Sequence, residues 1–183
     1  INAITIAIML NPNDWQLQSV YAEVISGQAP DRALAIRQQL LQTYPTGGNA
    51  VMLGNMAMRM AQSERDRTKR SGLIELAGKA YTKAMELEPN NEGVKGAYAE
   101  YLRQTQQSQK AEELLRDDQN LLWRYYLQNS QFDKAEQVLL ELHKADPKNA
   151  AVLRGLILTA EGKGSRNAVK KYLDLLSKDK LEK

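Results

Sequence analysis

Lys79–Asn91 reads KAYTKAMELEPNN: the end of an amphipathic helix, a proline, then two asparagines. Versions of it recur as IAIMLNPND from Ile6, QQLLQTYP from Gln38 and LELHKADPKN from Leu140, so the chain is built from repeats. The punctuating prolines are Pro12, Pro45, Pro89 and Pro147, about 33, 44 and 58 residues apart. A 34-residue period accounts for the first gap. The second carries roughly ten extra residues and the third gives them back.

The composition fits a folded repeat array. The 183 residues are 43% hydrophobic and 26% charged, with eleven glycines and five prolines placed as punctuation. No apolar run reaches the roughly 18 residues that span a bilayer. The opening INAITIAIML lacks the basic start and small-residue cleavage site of a secretion signal. It reads as a helix cut mid-repeat. The absence of cysteine excludes disulfides, thiolate zinc sites and thiol nucleophiles, and fits either side of a cell envelope. The compartment stays undetermined. A net charge of +3 with a pI near 9.0 is weak grounds for nucleic-acid binding unless one face collects it.

In register, the units resemble the tetratricopeptide repeat (TPR) family. That motif sets large residues at positions 4, 7, 11 and 24, small ones at 8, 20 and 27, and proline at 32. Small residues let antiparallel helices approach while large ones fill the gaps. The matching residues begin with Ile4, Ala7 and Pro12 of an orphan second helix. Tyr21, Ala22, Ala33 and Leu40 follow, then Leu53, Gly54, Ala57, Ala77, Tyr81 and Ala84. Further along come Tyr98, Ala99, Leu102, Ala111 and Leu115; Leu122, Tyr126, Ala135, Leu139 and Leu142; and Leu153, Leu156, Ala160, Ala168, Tyr172 and Leu175. Pro30 suits a helix start, and Asp31 favours the positive end of its dipole.

The resemblance implies an all-α, right-handed α-solenoid of antiparallel helix pairs over 1–183, about five units plus the orphan helix. The boundaries expected are 1–12 for the truncated unit, then 15–46, and 47–91 with an inserted loop at 63–72. A shortened unit at 92–116, another at 117–149, and a last unit with a charged tail at 150–183 complete it. An excised piece of a longer array is expected, with the tail SKDKLEK fraying. Trp123 stands at position 8, where the family carries Gly or Ala, next to the shortened unit. Irregular stacking is therefore predicted through 105–130.

Residues for catalysis are scarce, and no enzyme is expected. The single histidine, His143, has no partner for a metal and reads as surface or packing. Glu86/Glu88, Glu112/Glu113 and Asp117/Asp118 diverge on their helices, the last pair favouring the start of the helix that follows. EGKGSRN (161–167) lacks the spacing of a phosphate loop. Neither metal nor cofactor is expected. Met52, Met56, Met58 and Met60 suit gap-filling core or an adaptable surface.

Binding has more support. In the resembled family first helices line the concave groove, which here assigns Glu23, Asn55, Arg59, Glu100, Arg103, Gln104, Asn120, Arg124, Gln128 and Arg154 to it. Arginines among amides suit an extended or helical peptide, acidic if the charge is used, or are simply a solvated helix face. The insertion SERDRTKRSG (63–72) carries Arg65, Arg67, Lys69 and Arg70 against Glu64 and Asp66. It reads as a solvated loop or extra helical turn, or as a dock for an acidic partner. The family's carboxylate clamp is incomplete, since Asn55 is present but Val51 replaces its lysine. The leading expectation is a protein-interaction scaffold with a protein or peptide partner. Alternatives are a structural or assembly spacer of an export, pilus or envelope machine, in which self-association is possible, and a non-catalytic arm of an enzyme. RNA binding is the weakest.

Overall fold

The computed structural model describes residues 2–11 and 13–181, and every regular element among them is an α-helix. Ile1, Pro12, Glu182 and Lys183 lie outside the described residues. The expected role of Pro12 and the last two residues of the charged tail therefore have no counterpart here. Residue contacts divide the chain into two compact units, Ile1–Gln106 and Gln107–Lys183.

The first unit holds α1 (Asn2–Leu10), α2 (Trp15–Ile25), α3 (Pro30–Thr43), α4 (Gly47–Ser63), α5 (Arg67–Leu87) and α6 (Glu92–Gln104). The second holds α7 (Ser108–Leu115), α8 (Gln119–Gln128), α9 (Phe132–Ala145), α10 (Ala150–Gly162) and α11 (Arg166–Leu181). Within each unit consecutive helices pack on one another, α4 on α5 most extensively.

Local chemistry separates the two kinds of connection. The helices that open a pair are capped by side chains. Asp14 caps α2, Thr46 α4, Asn91 α6, Asp118 α8 and Asn149 α10, each accepting a backbone N–H of the first turn. Of the pair-closing helices, α3, α7 and α9 have no such cap. The turns before α7, α9 and α11 are instead tight, and each places one residue at positive φ: Gln106, Ser130 and Gly164. Glycine takes that backbone freely, whereas Gln106 and Ser130 hold it at a cost of about 1–2 kcal/mol.

Ala33, Ala57, Ala77, Ala84, Ala99, Ala111 and Ala135 have no exposed surface, so the small motif positions are the helix contacts. At position 8, a Cβ on Gly54 would lie 2.8 Å from Tyr81 Cζ, so glycine is what lets α4 and α5 meet. Trp123 occupies the same position in α8 and is nevertheless buried. Its ring packs with Leu139, Val152, Leu153 and Leu156. Gly155 of α10 makes room, since a Cβ there would be 3.2 Å from Trp123 Cζ3. Burying the indole leaves its Nε1 without a hydrogen-bond partner.

Some expectations change. Of the two forms expected for 63–72, the inserted loop is replaced by the helical one: α4 runs through Ser63, α5 starts at Arg67, and only 64–66 lie between them. Asp66 caps α5 by accepting the Lys69 N–H at 2.9 Å, and the arginines and lysine behind it are good helix formers. Leu175, assigned to core position 27, is exposed and Leu142 is half-buried. Of the four methionines, Met56 and Met58 are core and Met60 is half-buried, but Met52 is exposed. α11 continues through Leu181, so the charged tail begins as helix.

Candidate functional site

Six of the ten residues assigned to the groove fall on α2, α4 and α6 of the first unit. Glu23 Oε2 accepts from Arg59 Nη2 at 3.3 Å, tying α2 to α4. The same oxygen accepts from Arg37 Nη2 at 3.2 Å. Arg37 is almost fully buried on α3, and its Nη1 also meets Ser19 Oγ at 2.5 Å and Met52 Sδ at 3.1 Å. Burial lowers its pKa, and the bond to Glu23 opposes that. The sequence does not mark Arg37 as part of the site. An arginine on a second helix reads as solvated until three helices close over it.

Asn55 is exposed on α4, and its Oδ1 accepts the Tyr81 hydroxyl at 2.6 Å. Tyr81 is buried against Tyr98 and Tyr101, with ring centroids 6.3 and 5.1 Å away. Burial, with the nearby Glu100 charge, pushes its phenol up to about 12. Glu100 in turn gathers Arg103 Nη2 at 2.6 Å and Gln104 Nε2 at 2.8 Å. The Arg103 hydrogen bond holds the Glu100 carboxyl below the usual carboxylate range. Gln62 Nε2 then reaches Gln104 Oε1 at 3.4 Å, joining α4 to α6. Glu23, Asn55, Arg59, Glu100, Arg103 and Gln104 thus lie on three helices in separate polar groups, with one side-chain link from α2 to α4 and one from α4 to α6. The arginines among them are balanced by their own carboxylates, so acidity of the partner does not follow from this face alone.

In the second unit Asn120, Arg124 and Gln128 lie exposed along one face of α8, and Arg154 is exposed on α10. Arg124 also stacks its guanidinium 5.6 Å from the Trp123 ring centre. Polar links here cluster elsewhere: Glu112 accepts Tyr126 Oη at 3.0 Å and Lys134 Nζ at 2.7 Å. Lys163 binds Asp133 at 2.8 Å and Glu136 at 2.6 Å, which raises its pKa. His143 is half-buried with its ring edge-on to Tyr172, a packing role.

At the α4–α5 corner Arg65, Arg67, Lys69 and Arg70 are exposed. Arg70 donates from Nε and Nη2 to the Glu64 carbonyl, closing the end of α4. Among the described residues no group of His, Asp or Glu side chains could hold a metal ion, and no helix is long and apolar enough to cross a membrane.

No protein-family profile and no curated protein sequence matches the chain. Solved structures do. A thermophilic TPR protein of Thermus thermophilus superposes with a TM-score of 0.61 at 18% identity, covering 87% of this chain and 86% of that one. YrrB, described as a TPR protein with an unusual peptide-binding site, gives 0.46 at 19% identity over 94% and 90%. MamA gives 0.45 at 16% identity over 90% and 93%. The paired helices, their small contact residues and the Thermus superposition together show that this chain has the all-α helix-pair fold of the tetratricopeptide-repeat proteins.

Proposed function

We propose that the chain is a protein-interaction scaffold whose α2–α4–α6 face takes an extended or helical segment of a partner protein. The observation that carries this reading is the convergence of Glu23, Asn55, Arg59, Glu100, Arg103 and Gln104 from three helices. The side chains in it are exposed or half-buried, offer donors and acceptors of both charges, and include no nucleophile–base arrangement. A mixed-charge face of this kind selects register and orientation more than it supplies raw affinity.

Selection of a displayed random-peptide library on the purified chain tests it. Enriched peptides should lose at least about tenfold in affinity with Asn55→Ala or Arg59→Glu. No enrichment over an unrelated helical protein, or binding indifferent to both substitutions, would overturn the proposal.

A second reading, an assembly module that self-associates, is favoured by exposed apolar side chains on α1 and α2. Ile6, Met9, Leu10, Val20 and Val24 are all exposed, Met9 and Leu10 to 74%. Light scattering discriminates: a concentration-dependent mass reduced by Val20→Lys supports it, and a monomer at all concentrations removes it.

A further inference from the structure

The extended α4–α5 corner adds something the first-helix face does not have. Next to it a cleft of about 520 Å³ is lined by Met58, Ala61 and Ile74 below and by Gln62, Arg70, Arg103 and Gln104 around its rim. Met58 and Ala61 are core residues, so the floor is apolar and set on rigid helix. On the same corner Arg65, Arg67 and Lys69 are exposed and make no ion pair among the described residues, although the Lys69 backbone N–H and, to a smaller degree, the Lys69 charge lower the Asp66 pKa. The two acids of the same stretch are already occupied. Glu64 Oε1 accepts the Asp66 N–H at 2.9 Å, and Asp66 caps α5. Arg70, held by the Glu64 carbonyl, makes no ion pair among the described residues either. Cations therefore outnumber acids four to two at this corner, beside an apolar recess.

We infer that this corner is a docking site for an acidic peptide segment that carries one apolar side chain among its carboxylates. The apolar side chain enters the cleft over Met58, Ala61 and Ile74. Its flanking carboxylates meet Arg65, Arg67, Lys69 and Arg70, charge-assisted contacts that the corner's own acids do not supply. The inference rests on the scaffold reading, and it names the chemistry of one partner segment. A disordered strand of nucleic acid would use the cations but not the recess, which separates the two.

The test uses the full chain and fluorescein-labelled ten-residue peptides by anisotropy. One is Glu/Asp-rich with a central leucine, one has serine in place of the leucine, and one has lysine in place of every acid. A single-stranded oligonucleotide is the fourth probe. The expected result is that the acidic leucine peptide binds best, weakens with salt as screening shortens, and loses about tenfold or more in the R65E/R67E/K69E variant. Gln62→Trp, which fills the cleft rim, should weaken the leucine peptide and leave the serine peptide unchanged. All four positions are exposed, and circular dichroism checks that the variants fold. Binding of the lysine peptide or the oligonucleotide as tightly as the acidic leucine peptide would overturn the inference. So would indifference to both the triple variant and Gln62→Trp. Acidic-peptide binding that is lost in Arg59→Glu but not in the triple variant would keep the face reading and remove the corner. Loss only in the triple variant would support the corner, and the face is then decided by the peptide-library selection.

Discussion

The α4–α5 and α8–α9 pairs put opposite residues at the same position of the repeat, Gly54 in one and Trp123 in the other. In the first, glycine admits the Tyr81 ring of its own pair. In the second, the tryptophan is large and the space comes from Gly155 of the following pair-opening helix. One contact is closed inside a pair and the other between successive pairs. The small residue has not been lost, only moved to the partner helix. Close packing demands complementary volumes across a contact, and is indifferent to which side supplies the small one.

The most damaging way to probe this comparison is Trp123→Ala. It should leave a cavity walled by Leu139, Val152 and Leu156 and cost about 3–5 kcal/mol, read as a lower urea midpoint. A cost under about 1 kcal/mol would mean the ring is not filling that core. A paired test is sharper. Gly54→Ala would set a Cβ against a Tyr81 ring fixed by its bond to Asn55, whereas Gly155→Ala would press mainly on Leu139 Cδ2 at 2.7 Å, the end of a flexible side chain. Overpacking against the ring should outweigh the roughly 1 kcal/mol that alanine gains in a helix, leaving Gly54→Ala destabilising by about 1–2 kcal/mol. Gly155→Ala should cost less, about 0.5–1 kcal/mol, because the Leu139 end gives before the Trp123 ring at 3.2 Å is pressed. Equal losses would break the distinction.

Tyr81→Phe comes next, at about 1 kcal/mol for the lost hydrogen bond to Asn55. It also has a pH signature. The folded phenol sits at about 12, above its ordinary value near 10, so the folded chain holds that proton more tightly. This contribution to stability is complete below pH 10 and is lost as pH rises from 10 toward 12. In Tyr81→Phe that alkaline decline should be shallower, and an unchanged slope would count against the buried phenol. The smallest effect expected is a gain. Ser130→Gly should stabilise by about 0.5–1 kcal/mol, because the φ of 55° at this turn suits glycine. Thermal unfolding measures it directly.

Which residues are legible in the sequence follows from how local their roles are. The alanines at the contact positions announce themselves because helix periodicity alone puts them on the packed face. Register assigns the candidate face, and Glu23, Asn55, Arg59, Glu100, Arg103 and Gln104 fall on α2, α4 and α6. What register does not supply is the pairing within it: that Arg59 and Arg103 direct their charge to Glu23 and Glu100. Arg37 is invisible for the same reason, since its burial depends on Ser19, Glu23 and Met52 from two other helices. Charge density makes the corner at 63–72 look like a loop, although Asp66 three residues before Lys69 is itself a helix-start signal.

By itself, then, the order of residues determined the helix pairs, their caps and the small contact positions, because each is set by side chains within one or two turns of each other. Tertiary structure alone decided where Trp123 sends its ring, which arginines pair with carboxylates of other helices, and that the basic insertion lengthens two helices beside an apolar cleft. Those outcomes depend on volumes and charges from segments tens of residues apart, and only folding brings them within contact range.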